Sequence, residues 1–560
     1  QAMIRLLFMQ RLRDERVKLN TAGFVSGYRG SPMTAIDQEL WRAGQLLPHH
    51  HIKFWPGTNE HLAMTSVWGT QQTNYYNDST YDGVFGMWYG KGPGLDQSID
   101  ALRQGNWHGS DKYGGVLICV GDDHDMTSTI NNYSSELLFQ DQFMPVLYPA
   151  DIQEVLDLGI LGYALSRFCG AWVGFKLLPE TIETSASVDA NINRLSVKLP
   201  EFVFPEEGVN AFLTDSVYVQ EARIKQYRLP AAVAFARANH INFVSHSASK
   251  PYFGIASMGK SWRDTLQALQ DLGIDGAAME RLGISILKVG MPYPVDLQTY
   301  RDFAQGLDQV LIIEEKRELL ATGFREACYH LPAERRPALL GRTDQNEQPL
   351  LPNDQPITVD HIAMALARLL PLKVVDGAQR RLTTLKSAGS SAAIIEQIPM
   401  QRIPYFCSGC PHNVSTRLPK GSRGQGGVGC HYMVTWMDRE TYTFCQMGGE
   451  GVTWIGQEPF VTTDHIFQNL GDGTYFHSGS LAIRAAVSAG INITYKLLFN
   501  DAVAMTGGQP VDGMLTVDQI SRQAILEGVR AVAVISDAPE RYKTGFQFAP
   551  GTTIHNRREL

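Results

Sequence analysis

The sequence predicts an α/β chain built on doubly wound parallel sheets, and three observations carry that expectation. Over residues 1–200, short apolar runs alternate with helical patterns, the strand–loop–helix rhythm of parallel sheets. Towards the other end, Gly471-Asp472-Gly473 sits between the apolar run His465–Leu470 and the helical stretch His477–Ala489. A second apolar run, Ile491–Phe499, then ends at Asn500. Composition agrees: 560 residues exceed what one core holds, and 44% hydrophobic against 19% charged residues suits extensive buried sheet.

The elements follow in order. Ala22–Gly27 reads as a strand running into the loop Gly27-Tyr28-Arg29-Gly30-Ser31-Pro32. Val84–Tyr89, Gly115–Gly121, Met144–Tyr148 and Ala171–Leu177 read as further buried strands, so 1–200 forms a first domain. Residues 201–247 form a connector, helical near Tyr218–Asn239. A smaller α/β domain is expected over 248–375, with strand Tyr252–Ala256, helix Trp262–Leu272, strands Ile284–Val289 and Gln309–Ile313, and helix Val359–Leu370. Residues 376–400 read as linker and 401–560 as a third α/β domain. Asn556–Leu560 reads as the start of a charged helix without a cap, so the chain is expected to continue beyond it.

Charge and hydropathy narrow the function. Lys and Arg total 49 against 57 Asp and Glu, a net charge of −8, and no basic block argues for nucleic acid. No apolar run approaches the ~18–20 residues of a membrane span, and no signal peptide is visible, so a cytoplasmic protein is expected. Seven cysteines are too few and too uneven for a disulfide framework. Cys119, Cys169 and Cys328 stand alone in apolar surroundings and read as core thiols, whereas Cys407, Cys410, Cys430 and Cys445 crowd together.

Three constellations carry chemistry. Asp472 offers a hard anionic oxygen and Asn500 a neutral carbonyl oxygen, and the glycines let backbone approach a phosphate. Both residues end parallel strands, where open α/β sheets bind ligands, so the pattern fits a magnesium–diphosphate site; an ordinary Asp-Gly turn is the alternative. Cys407 and Cys410, two residues apart, can share a metal centre that Cys430 closes. Zinc, completed by His412 or His431, competes with iron–sulfur, and the shared domain with the diphosphate motif favours iron–sulfur. The fourth ligand is either Cys445, in a strand-like Phe444-Cys445-Gln446, or a cysteine beyond residue 560. Glu60, in Gly57-Thr58-Asn59-Glu60-His61, opens an apolar helix. It suits protonation of a thiamine aminopyrimidine, or it merely complements the helix dipole.

Together these segments resemble the indolepyruvate ferredoxin oxidoreductase family, the large fused-chain type of thiamine diphosphate-dependent 2-oxoacid:ferredoxin oxidoreductase. The resemblance runs through Gly27–Pro32, Asn59-Glu60, Gly121-Asp122-Asp123, Cys407-Ser408-Gly409-Cys410-Pro411-His412, Gly429-Cys430-His431, Met447-Gly448-Gly449, Gly471–Gly479, Asn500 and Ala504–Gln509. It implies a multidomain thiamine diphosphate-binding fold: a pyrimidine-binding domain (1–200), a transketolase C-terminal-like domain (248–375) and a diphosphate-binding domain (401–560). Glu60 becomes the activating acid. Asp472, Asn500 and the carbonyl of Ala502 become magnesium ligands, and Ser31, Gly448, Gly471, Gly473, Thr474 and Thr506 join Glu60, Asp472 and Asn500 around the cofactor. Cys407, Cys410 and Cys430 become ligands of a [4Fe–4S] cluster.

The implied reaction is oxidative decarboxylation of an aryl-type, indolepyruvate-like 2-oxo acid to its acyl-CoA through a thiamine-bound enamine, with single electrons passed to ferredoxin. The partners are then the 2-oxo acid, coenzyme A and ferredoxin, without nucleic acid or membrane, in a homodimer or higher oligomer. A non-oxidative decarboxylase and a non-catalytic redox scaffold are the alternatives. The loop departs from the family form, with Arg29 where Pro is usual and Ser31 for Thr. The family's ferredoxin-like C-x-x-C-x-x-C runs are absent from this sequence. His477, after the magnesium loop, is expected beside the reacting carbon or else as a helix cap. Arg29 is a weaker candidate for the substrate carboxylate.

Overall fold

A computed structural model gives the fold and describes every residue except 77, 127, 128, 130, 213–215, 376, 385, 386 and 388–403. The chain divides into two units, Gln1–Gln397 and Ile398–Leu560. Most of the expected 376–400 linker lies outside the described residues, apart from a helical run at 378–384.

The first unit opens with a sheet of β1 (Thr21–Gly27), β2 (Ile52–Pro56), β3 (Gly83–Lys91), β4 (Val116–Gly121), β5 (Val146–Leu147) and β6 (Val173–Leu177). Its order is β2-β1-β3-β4-β6-β5, every pairing parallel. Successive side chains of a strand point to opposite faces, so each face needs its own cover. One face buries Val25, Met87, Leu117 and Phe175 under helices Ala2–Arg16 and Ile152–Cys169. The other buries Trp88, Ile118 and Val120 under helix Glu60–Thr70. Strand β2 is missing from the sequence reading, and Met144–Tyr148 shortens to the two residues of β5.

The second sheet of this unit contains β7 (Asn242–His246), β8 (Phe253–Met258), β9 (Ile284–Val289), β10 (Gln309–Ile313) and β11 (Ala338–Leu340), in the order β11-β10-β8-β9-β7. Strand β7 runs antiparallel to β9 at the edge. Helices Gly259–Asp271 and Val359–Leu369 cover one face, Leu297–Ala304 and Leu320–Tyr329 the other.

The second unit is built on a parallel sheet of β12 (Gly424–Gln425), β13 (Thr441–Thr443), β14 (Ile466–Gly471) and β15 (Ile493–Leu498), ordered β13-β12-β14-β15. Helical backbone runs without a break from Asp472 through a π turn at Tyr475–Gly479 into Ser480–Ala489, with Leu470, Tyr475 and Ile483 in its core. Two short pairs follow, β16 (Ala502–Val503) with β17 (Gln509–Pro510), and β18 (Ala533–Ser536) with β19 (Thr553–Asn556). Phe444–Gln446 is not strand, since β13 stops at Thr443. The final residues are a 3₁₀ turn, Arg557–Glu559, which Asn556 caps by accepting from Arg558 N at 3.0 Å. Among the described residues no helix is long and apolar enough to cross a membrane.

Candidate active site

In the first sheet the chain moves from β1 to β2 on one side and from β3 to β4 on the other, so strand order reverses between β1 and β3. A reversal of this kind opens a crevice at the carboxyl ends of the strands. Glu60 arrives there from the end of β2. The Asn59 side chain caps the helix by accepting from Leu62 N at 2.9 Å, Glu60 is its first residue, and the Glu60 carbonyl accepts from Trp88 Nε1 at 3.0 Å. The Glu60 side chain is 4% exposed and passes directly over Gly94, where a Cβ would stand 2.5 Å from Glu60 Cγ. Lys91 ends β3 beside the Gly30 loop, with its Cδ 2.9 Å from where a Gly30 Cβ would be. Burial holds the Lys91 ammonium below its ordinary range, and the charge of Glu60 works the other way. A carboxyl group and an ammonium in mutual electrostatic reach at a glycine-lined strand end can hold and exchange a proton.

Ser31 is half-buried in the turn after β1. Arg29 is neither solvated nor open to a substrate. Its Nε donates to Asp37 Oδ2 at 2.8 Å, both side chains are buried, and its guanidinium lies 5.7 Å from the Trp41 ring. Asp37 also accepts from the Tyr89 hydroxyl, so Arg29 braces the loop rather than recognising a ligand.

In the second unit, Asp472 begins the helical run directly after β14. Its Oδ1 accepts from Gly473 N at 2.8 Å, and its Oδ2 accepts from Asn500 N at 2.7 Å and Asp501 N at 2.8 Å. Burial raises its carboxyl pKa, and these backbone donors oppose the rise. Asp501 adopts a left-handed φ of 61°, which turns the chain so that Ala502 N donates to Asn500 Oδ1 at 3.1 Å. Asp472, Asn500 and Ala502 therefore share one knot of backbone. Each oxygen has lone-pair capacity beyond the bonds named, a donor set that fits a small hard cation. Thr506 lies further along this loop, its hydroxyl donating to Val503 O at 3.3 Å and Gln509 Oε1 at 2.8 Å.

Two loops meet this knot. Thr474 Oγ1 donates to Val428 O at 3.3 Å. Val428 N in turn donates to Glu450 Oε1 at 3.3 Å, and Gly448 N donates to Glu450 Oε2 at 2.7 Å. Glu450 is fully buried, and burial pushes its pKa up to about 6. Gly448 has φ 90° and abuts Ser478, whose hydroxyl is 2.5 Å from His477 Nδ1. His477 is 4% exposed inside the π turn, well after the start of the helical run, so it is not a cap. His431 is 2% exposed, and burial depresses its pKa to about 3.

The cysteines lie in the same unit. Cys410 N donates to Cys407 O at 3.0 Å in a turn whose Gly409 has φ 77°. Lys496 Nζ donates to Ser415 O and Arg417 O at 3.0 and 2.7 Å, and Arg439 donates to Thr416 Oγ1 at 2.6 Å, so two cations pin the segment behind this turn. Burial raises the Cys430 thiol pKa, and the charges of Cys410 and Cys407 raise it further. These three are thus electrostatic neighbours. Cys445 senses Glu450 instead, and burial first, then that charge, lifts it to about 12. Among the described residues no group of three or more His, Cys, Asp or Glu gathers closely enough for a single metal ion.

Sequence reasoning missed Lys91, Glu450 and the burial of His431. Lys91-Gly92-Pro93-Gly94 and Gly448-Gly449-Glu450-Gly451, each a charged residue within a glycine run, were the available signals.

Residues 244–391 match a family model described as an indolepyruvate oxidoreductase domain. The indolepyruvate oxidoreductase subunit IorA of Methanothermobacter marburgensis is 24% identical over 91% of this chain and 79% of its own length. That of Pyrococcus abyssi is 23% identical over 93% and 80%. The chain is a relative of the indolepyruvate oxidoreductases. Like them it is an enzyme of the oxidoreductase class. A solved 2-oxoglutarate:ferredoxin oxidoreductase from Magnetococcus marinus aligns with a TM-score of 0.44 at 13% identity, covering 66% of this chain and 64% of that one.

Proposed function

We propose that this relative of the indolepyruvate oxidoreductases oxidatively decarboxylates an aryl-type 2-oxo acid to its acyl-CoA and delivers single electrons to a ferredoxin. In this reading the three domains are those set out above, and the enzyme works in the cytoplasm as a homodimer or higher oligomer. The observation that carries it is the Asp472–Asn500–Asp501 knot in one unit with the Cys407, Cys410 and Cys430 set. Thiamine diphosphate, when bound, supplies an electron sink for loss of carbon dioxide from a 2-oxo acid.

This chain's residues do the rest. Asp472 and Asn500, with the Ala502 carbonyl, would hold the magnesium of the diphosphate, and Gly471, Gly473, Gly448, Thr474, Thr506 and Ser31 would line the cofactor. Glu60 would hold a proton at the aminopyrimidine N1′, with Lys91 setting how readily it is given up. His477 would hydrogen-bond the substrate carboxylate, its orientation fixed by Ser478. Cys407, Cys410 and Cys430 would ligate a [4Fe–4S] cluster, and Cys445, which lies in the field of Glu450 rather than of the other thiols, would stand outside it.

The test is anaerobic purification with iron and acid-labile sulfide analysis. The protein should be brown, bleach on adding an aryl 2-oxo acid with coenzyme A, and reduce a viologen dye. Cys430→Ser should lose iron, and Cys445→Ser should keep it. A colourless, iron-free protein that still decarboxylates the 2-oxo acid would overturn the oxidative reading in favour of a simple decarboxylase.

A further inference from the structure

The imidazole of His431 lies between two glycine loops at the carboxyl ends of the adjacent strands β12 and β14. A Cβ on Gly427 would stand 3.0 Å from His431 Nε2, one on Gly429 2.7 Å from its Cε1, and one on Gly471 3.4 Å from the same Cε1. Nε2 therefore borders the Gly427 backbone, and the Nδ1–Cε1 edge of the same ring borders Gly429 and Gly471. One of the two loops is the Gly471-Asp472-Gly473 loop, and the other is tied to it through Val428 and Thr474. His431 Nε2 is buried and has no hydrogen-bond partner among the described residues. A buried polar nitrogen left without a partner is costly, and a bound ion or ligand is one way such a group is satisfied.

We propose that His431 Nε2 donates a hydrogen bond to a phosphate oxygen of a bound diphosphate ester, making His431 a positioning residue for the diphosphate. This deepens the function proposed above and rests on it. The glycines at 427, 429 and 471 leave room for the ring, and a charged hydrogen-bond acceptor satisfies a buried nitrogen that has no partner among the described residues.

The test is binding of thiamine diphosphate with magnesium to the full chain, followed by fluorescence quenching, with unphosphorylated thiamine as a control probe. His431→Leu should bind thiamine diphosphate about tenfold more weakly, the loss of one hydrogen bond to a charged group. Thiamine itself should bind as in the wild type. His431→Gln, which keeps a donor near the Nε2 position, should stay within about threefold. Selective ¹⁵N-histidine labelling of the wild type gives a second measurement that requires no substitution. The Nε2 resonance of His431 should move on adding thiamine diphosphate with magnesium, and not on adding thiamine. Unchanged diphosphate affinity in a folded His431→Leu protein, or an unmoved Nε2 resonance in protein that binds the cofactor, overturns the assignment of His431 alone. Wild-type protein that fails to bind thiamine diphosphate overturns both this inference and the proposed function.

Discussion

The carboxyl edge of the first sheet has two halves that differ sharply. Around β2, β1 and β3 the strand ends run into glycines, with Glu60 against Gly94 and Lys91, within its electrostatic reach, against Gly30. Around β4 and β6 the same edge is closed by charge. The fully buried Lys176 ammonium pairs with Glu136 and with Asp122 Oδ2 at 3.2 Å, lies 3.0 Å from His124 Nε2, and sits 4.8 Å from the Tyr148 ring centroid. Both halves are made of parallel strands, so the sheet does not decide which end is open. The residues just past each strand decide it: glycines leave room at the switch point, and an interlocked ion cluster fills the other end. The second unit repeats the open pattern where β12 and β14 end.

Disabling one residue in each half separates the two roles. Glu60→Gln in the open half should cut kcat/KM with the 2-oxo acid by about 10²–10⁴-fold, the usual worth of a positioned acid–base group, with little change in Tm. Equal activity would place the chemistry elsewhere. Lys176→Met in the sealed half should do the opposite. It leaves the buried carboxyls of Asp122 and Glu136 without a cation and should cost about 3–5 kcal/mol in denaturant unfolding, while kcat per folded molecule holds. A Lys176→Met protein as stable as the wild type would show that the cluster seals nothing.

Glu450 sharpens the comparison by a smaller effect, since it is a buried carboxyl at the open end of the second unit. Its pKa is raised from 4.5 to about 6 by burial. Below pH ~4.5 the group is protonated in both folded and unfolded chains and costs nothing. As pH rises through 6 the folded protein must ionise it, so stability falls by up to about 2 kcal/mol. Melting curves of wild type and Glu450→Gln between pH 4.5 and 7 should therefore separate, the wild type declining more steeply. Parallel curves would mean that Glu450 is not strained by its burial.

Legibility followed how local each signal is. Gly471-Asp472-Gly473 and Asn500 were readable because both end apolar strands and act through adjacent backbone, and the Glu60 helix start because Asn59 caps it. Strand β2 was hidden because Lys53 and Trp55 are exposed at the sheet edge, and β7 because an antiparallel edge strand carries little apolar pattern. Arg29 was misread because Asp37, which neutralises it, comes from the following helix. Lys91, Glu450 and His431 act through loops that meet only after folding, and the glycine runs around Lys91 and Glu450 are the only trace they leave in the sequence.

Calorimetric titration of thiamine diphosphate into wild type and Asp472→Ala, with and without magnesium, tests whether the knot around Asp472 anchors a magnesium diphosphate. Wild type should bind only with magnesium, and Asp472→Ala, folded by circular dichroism, should bind more than about 100-fold more weakly, the loss of a charged metal ligand. Equal binding by the two proteins, or wild-type binding indifferent to magnesium, would show that Asp472 holds no magnesium diphosphate.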